Sequence, residues 1–278
     1  MVINSFGGNW TIKKLKILSE YLSFYVNALK YQSFDKIYID SFAGSGDLER
    51  KDTGEIIPGS TRIALSIDEK FDRYIFIENN KNNIEELSSM VKKDYPDLLD
   101  KVDIIKQDAN IALREVCTKY HWNNTRAVLF LDPYAMSVKW ETLKIISETK
   151  AIDVWYLFPL GATNRLLEKS KNIDVKWKEK LNSIFGDNSW EVELYKEDPQ
   201  GSLFGETFYQ KEDFFVLKDY IIEKLKTIFP YVSNKSKILY NNNNTPLFLF
   251  CFAVSNPDKK AWGLAQKVAN YILDKQGN

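Results

Sequence analysis

Cysteine and histidine are nearly missing from this 278-residue chain: Cys117, Cys251 and His121 are all it has. Those three residues cannot complete a four-ligand Cys/His zinc site, so no metal centre of that kind is expected. So low a cysteine count fits a reducing compartment. Net charge is missing too, with 38 basic residues against 38 acidic ones. A protein that coats nucleic acid by charge alone needs a basic excess to neutralise phosphates, and this chain lacks one. A local basic face stays open. No run of eighteen apolar residues occurs, and the N-terminus lacks a basic, apolar, small-residue signal pattern. A soluble cytoplasmic protein is expected. What the chain does have is apolar mass: 44% hydrophobic residues, enough for one α/β domain with a large core.

The most informative stretch is KIYIDSFAGSG, Lys36 to Gly46. Ile37 and Ile39 alternate with Tyr38 and Asp40, which predicts a buried strand. Phe42, Ala43, Gly44, Ser45 and Gly46 follow. A Gly-x-Gly turn after a strand lets backbone N–H groups approach a ligand, because glycine has no Cβ. Alone, such a turn is also what any reversing chain uses. Three further acids close predicted strands: Glu78 after YIFI, Asp108 after VDIIK, and Asp132 after AVLFL, where it begins Asp132-Pro133-Tyr134. In an open parallel sheet, ligands sit outside the carboxyl ends of the strands. Four carboxylates at four strand ends therefore predict one site.

A nicotinamide cofactor is disfavoured. Its turn needs a third glycine where this chain has Glu49, and a ribose acid nearer than Glu78.

The remaining periodicity supports a doubly wound sheet. Residues 11–30 space Leu15, Leu18, Leu22, Tyr25 and Leu29 as an amphipathic helix, expected to pack across one edge of the pocket. Strands at 74–78, 102–106, 126–132 and 153–159 alternate with helical stretches. The polar connection after Gly46 reads either as a mobile cover or as a solvated insertion. From 163 to 230 an aromatic-rich helical insertion carries Trp177, Phe185, Trp190, Phe204, Phe208 and Tyr209. It builds either a satellite core or part of a substrate pocket. Tyr231–Tyr240 and Leu247–Ser255 bracket an asparagine run and predict a terminal antiparallel hairpin. The whole, 1–278, reads as one domain with an N-terminal helical segment, 1–31.

The motifs DSFAGSG, Glu78, Asp108 and Asp132-Pro133-Tyr134 resemble those of class I S-adenosylmethionine-dependent methyltransferases. The resemblance implies a Rossmann-like, mostly parallel seven-stranded sheet ending in an antiparallel hairpin. It also implies S-adenosyl-L-methionine as cofactor. By motif position, Asp40 would meet its ammonium group, and Phe42, Ala43, Gly44 and Gly46 would approach the methionine part. Glu78 would accept both ribose hydroxyls, and Asp108 or the Ala109 N–H would read the adenine edge. FAGSG with a DP-aromatic motif looks most like the branch that methylates exocyclic amines of nucleic-acid bases. There Asp132 and the carbonyl of Pro133 would accept the N–H bonds of the amine, and Tyr134 would stack on the base. A single proline is similar to the DP-aromatic-glycine motif of tRNA guanine-N2 methyltransferases, with Ala135 in the place of glycine.

Across most of the chain, KLKILSEYL, YIDSFAGSGD, PGST, FLDPYA and VWYLFP are similar to the bacterial three-Cys-motif partner proteins. That family's name implies a separate partner with three cysteines, of radical-enzyme type. Three functions remain open: a methyltransferase acting on RNA or DNA, a cofactor-binding partner subunit without chemistry, and a small-molecule methyltransferase. For a threaded polynucleotide, the candidate phosphate contacts include Lys13, Lys14, Arg50, Lys51 and Lys139.

Overall fold

The computed structural model describes residues 4–6, 8–50, 53–197 and 208–275. A short strand, β1 (Asn4–Phe6), precedes the long helix α1 (Asn9–Ala28). β2 (Asp35–Asp40) ends at the glycine turn, and β3 (Asp47–Arg50) and β4 (Ile56–Pro58) lead into α2 (Ser60–Ser66). Strands and helices then alternate: β5 (Arg73–Glu78), α3 (Lys81–Asp94), β6 (Val102–Lys106), α4 (Ala109–Lys119), β7 (Thr125–Leu131), α5 (Trp140–Glu148) and β8 (Ile152–Phe158). The insertion holds α6 (Leu160–Leu166), α7 (Val175–Phe185), α8 (Trp190–Glu193), a ribbon of β9 (Tyr195–Glu197) and β10 (Tyr209–Lys211), and α9 (Phe214–Lys226). The chain closes with β11 (Tyr231–Val232), β12 (Lys237–Tyr240), β13 (Pro246–Val254) and α10 (Lys259–Lys275).

The main sheet runs β11-β13-β8-β7-β2-β5-β6, with β12 also on β13. β11 pairs Tyr231 with Val254, and β12 pairs Lys237 with Phe250 through Tyr240 with Pro246. These are two pieces of one interrupted edge strand, so the sheet is seven strands wide. β13 is antiparallel to its neighbours, while β2, β5, β6, β7 and β8 are mutually parallel. This is the Rossmann-like, mostly parallel seven-stranded arrangement that the motif resemblance implies. The predicted hairpin is present, and Asn244 supplies its left-handed residue at φ 54°.

Strand alternation explains the layering. In β7, Ala127, Leu129 and Leu131 enter one core, and Val128 and Phe130 enter the other. A strand buried on both faces needs apolar residues at every position, which is why AVLFL shows no polar alternation. The second core is covered by α1, α2, α3 and α10; the first is covered by α4, α5 and the insertion. Leu181, Phe185, Trp190, Leu217 and Ile221 of the insertion join the strand residues of that first core. Phe158 stacks on Phe185 with ring centroids 6.2 Å apart. The insertion therefore extends the main core. Trp177 and Phe208 are exposed, and Phe204 lies outside the described residues.

The described residues of the polar connection after Gly46 form strands of their own. β3 pairs antiparallel with β4 and parallel with β1. Arg62 grips Asp47 through Nε at 2.6 Å and Nη2 at 2.8 Å, and reaches Asp94 at 2.8 Å. Among the described residues no helix is long and apolar enough to cross a membrane.

Candidate functional site

Strand order reverses at β2: β5 and β6 lie on one side, β7 and β8 on the other. Connections leaving adjacent strands diverge at such a point and open a crevice at the carboxyl ends. A cleft of about 660 Å³ occupies this position, within the range of small-molecule sites, about 300–1,000 Å³. The exit of β2 lines it with Phe42, Ala43, Gly44 and Gly46. β5 contributes Glu78, and β7 contributes Asp132, Pro133, Tyr134 and Ala135. Motifs 90 residues apart in sequence thus meet in one cavity.

The turn after β2 needs its glycines. Gly44 and Gly46 hold φ of 64° and 98°, where a side chain is strained. A Cβ on Gly46 would also stand 2.6 Å from Met90 Cε. The Gly44 N–H donates to Glu78 Oε2 at 2.9 Å, and Glu78 Oε1 accepts from the N–H groups of Asn79 and Asn80, both at 2.8 Å. Glu78 therefore ties the β2 turn to the exit of β5. A carboxylate offers about four acceptor positions. Three are taken by backbone, which leaves one, on Oε2.

Asp40 lies beneath the cleft and does not line it. It is fully buried, accepting from the Tyr38 hydroxyl at 3.1 Å and the Phe42 N–H at 3.2 Å. Burial pushes its pKa up to about 6, hydrogen bonds from Ser60 and Phe42 pull it down, and the neighbouring charge of Asp132 raises it. Its visible work is to hold the start of the turn.

Asp108 and Ala109 also fall outside the cleft lining. Asp108 is exposed and caps α4, accepting from the N–H groups of Asn110 at 2.9 Å and Ile111 at 3.3 Å. That is the usual use of an aspartate before a helix. Ala109 is buried in the first turn. The next residue reaches toward the site instead. Asn110 donates to the Ser137 carbonyl at 3.0 Å and accepts from the Lys139 N–H at 2.9 Å and the Thr142 hydroxyl at 2.8 Å. It fixes the segment just beyond Ala135.

Asp132 does not stand alone. Lys14 of α1, buried to 3% exposure, donates to Asp132 Oδ2 and lies 5.0 Å from the Trp10 ring centroid. Trp10 in turn packs on Phe248 at 5.0 Å. α1 thus forms the expected wall of the pocket, and the first residues of β13, Leu247 and Phe248, complete it. The sequence carried a signal for Lys14: it falls on the apolar stripe of α1, three and seven residues before Ile17 and Tyr21. A lysine there needs a buried partner. It is consequently no surface phosphate contact. Arg50 is paired with Glu55 at 3.3 Å, and Lys51 lies outside the described residues.

Tyr134 is 83% exposed at the lip of the cleft. Ala135 after it holds φ 54°, the left-handed region. Glycine enters this region without strain, so Ala135 holds a conformation more often left to glycine.

No family model and no curated protein matches the chain. Solved structures do. A protein of Legionella pneumophila strain Philadelphia 1 is 11% identical over 93% of this chain and 91% of its own, with a TM-score of 0.49. Spermidine synthase from Thermotoga maritima is 11% identical over 90% of this chain and 61% of its own, with a TM-score of 0.44. The methyltransferase domain of bacterial CtHen1-C is 10% identical over 86% of this chain and 98% of its own, with a TM-score of 0.41.

Proposed function

We propose that the cleft binds S-adenosyl-L-methionine and transfers its methyl group to an exocyclic amine of a base in RNA or DNA. The observation that carries this reading is the shared cleft. The glycine turn and Glu78 line the same cavity as Asp132, Pro133 and the exposed ring of Tyr134. The residues present fit the cofactor. Gly44 and Gly46 leave room for its amino-acid end, and the remaining acceptor position on Glu78 takes one ribose hydroxyl. The apolar wall of Leu15, Leu247 and Phe248 covers its less polar parts. When bound, the cofactor supplies an electrophilic methyl group on a sulfonium.

This chain's own residues handle the amine. An exocyclic NH₂ is a poor nucleophile because its lone pair is delocalised into the ring. Asp132 and the Pro133 carbonyl accept its N–H bonds and turn the lone pair outward. Tyr134 stacks on the base, an interaction worth about 1–3 kcal/mol, and orients it for in-line attack. The base must be unpaired or flipped out to enter.

The Lys14–Asp132 pair favours a second reading. With Oδ2 held by an ammonium group, Asp132 has less acceptor capacity for a substrate. A cofactor-binding subunit serving a three-cysteine enzyme, as the sequence resemblance implies, needs no such capacity.

Single-turnover methyl transfer with labelled cofactor separates the two. On single-stranded RNA and DNA, the enzyme reading predicts label on a base amine and a rate loss of about 100-fold for Asp132→Asn, with cofactor affinity kept. Bound cofactor with no transfer to either polymer supports the partner reading.

A further inference from the structure

A second cavity, of about 300 Å³, opens at the other end of the sheet, by the amino ends of β7 and β8. Its walls are aromatic and aliphatic: Phe24 and Leu29 from α1 and its end, Phe34 before β2, and Leu264 from α10. Its polar groups are Arg126, Asp153, Tyr21 and Tyr25, and Asn256 with the exposed Asp258 and Lys260 also lines it. None of them belongs to the cleft described above.

These groups are incompletely partnered. Arg126 commits Nη1 to the carbonyls of Trp122 and Thr125, each at 2.8 Å, and lays its guanidinium 4.0 Å from the Phe34 ring centroid. Nε and Nη2, the edge that grips a carboxylate with two parallel bonds, make no hydrogen bond among the described residues. Asp153 accepts from the Tyr21 hydroxyl at 2.5 Å through Oδ2, and Oδ1 has no hydrogen-bond partner among the described residues. Arg126 and Asp153 form no ion pair, although both act electrostatically on Tyr25. Tyr25, which lines the cavity, is only 6% exposed, and among the described residues its hydroxyl makes no hydrogen bond.

The side chains of Arg126 and Asp153 are both half-buried and give up part of their hydration without meeting one another. Burial accordingly pushes Asp153 up to about 7, against the pull of Tyr21 and Arg126. A ligand with an ammonium group and a carboxylate on one carbon would supply both missing partners. The rings and aliphatic side chains around them suit an apolar substituent, and the volume suits one of modest size. We propose that this cavity binds a zwitterionic α-amino acid with an apolar side chain, its carboxylate on Arg126, its ammonium on Asp153, and its side chain against Phe24 and Leu264. The Tyr25 hydroxyl donates to the same carboxylate. This site stands independently of the methyl-transfer reading.

Ligand-observed NMR and calorimetry on the full chain test it. L-leucine and L-phenylalanine should bind saturably, with dissociation constants below the order of 10 mM. L-leucinamide, which lacks the carboxylate, and 4-methylpentanoate, which lacks the ammonium, should each bind at least about tenfold more weakly. Asp153→Asn and Tyr25→Phe should weaken leucine binding, the former by about tenfold or more. Absence of saturable binding to folded wild-type protein would overturn the proposal. So would equal binding of either analogue, or of adenine in place of the amino acids. If Asp153→Asn does not fold, the analogue series on wild-type protein decides alone.

Discussion

The two ends of the parallel sheet treat charge in opposite ways. At the carboxyl end every acid in or under the cleft has partners: Asp132 holds Lys14, Glu78 holds three backbone N–H groups, and Asp40 holds Tyr38 and Phe42. At the amino end Arg126, Asp153 and Tyr25 share a cavity without closing on one another. Both ends bury polar groups among aromatic rings. Closed partners hold a fixed geometry, as catalysis requires, whereas open ones mark a place where a ligand completes the set.

The contrast breaks first at Asp132. Asp132→Ala leaves Lys14 buried without its carboxylate, and removing one partner of a buried pair costs about 3–5 kcal/mol. Urea denaturation should show that loss, and Lys14→Met combined with Asp132→Ala should recover most of it. Asp153→Asn, by contrast, removes a carboxyl whose charge is already disfavoured by burial and should cost little at pH 8. Equal costs at the two ends would erase the distinction.

Titration sharpens the comparison. Burial raises both Asp40, to about 6, and Asp153, to about 7. A folded state that keeps a proton the unfolded chain releases near pH 4 is favoured at low pH and loses that advantage as pH rises through the folded value. From pH 5 to pH 8 stability should therefore fall by roughly 2–4 kcal/mol, at 1.36 kcal/mol per pKa unit. Asp40→Asn should flatten the curve up to about pH 6 and Asp153→Asn up to about pH 7. Denaturation midpoints across that range check it, and a flat wild-type profile would contradict it.

The smallest expected effect is at Ala135. Its left-handed backbone costs about 1–2 kcal/mol for a residue with a Cβ, partly offset by the greater unfolded-state freedom of glycine, about 0.4–1 kcal/mol. Ala135→Gly should leave thermal stability unchanged or raise it by up to about 1 kcal/mol.

The same contrast decides what could be read from sequence. The carboxyl end is written in local motifs, because a strand, its terminal acid and its turn are contiguous: Phe42 to Gly44, Gly46, Glu78 and Asp132 to Ala135 line one cleft, with Asp40 beneath it. The strand pattern also gave the doubly wound sheet, since two-face burial leaves unbroken apolar runs such as AVLFL, while the count of seven strands came with the motif resemblance. One residue type can serve two uses. Asp108 caps a helix as well as ending a strand, and Lys14, which reads as a surface cation, is a buried partner of Asp132. The amino-end cavity has no motif at all. Tyr25, Arg126, Asp153 and Leu264 come from four elements spread over most of the chain, and only the folded sheet brings them together.

Calorimetric titration of the wild-type protein and Glu78→Ala with S-adenosyl-L-methionine and its demethylated product tests the central claim most directly. Micromolar binding is expected for the wild type, weakened in Glu78→Ala by about 1.5–3 kcal/mol, the range for a hydrogen bond to a charged group. No heat with either ligand on folded wild-type protein, or an affinity indifferent to Glu78, would contradict the assignment of the carboxyl-end cleft.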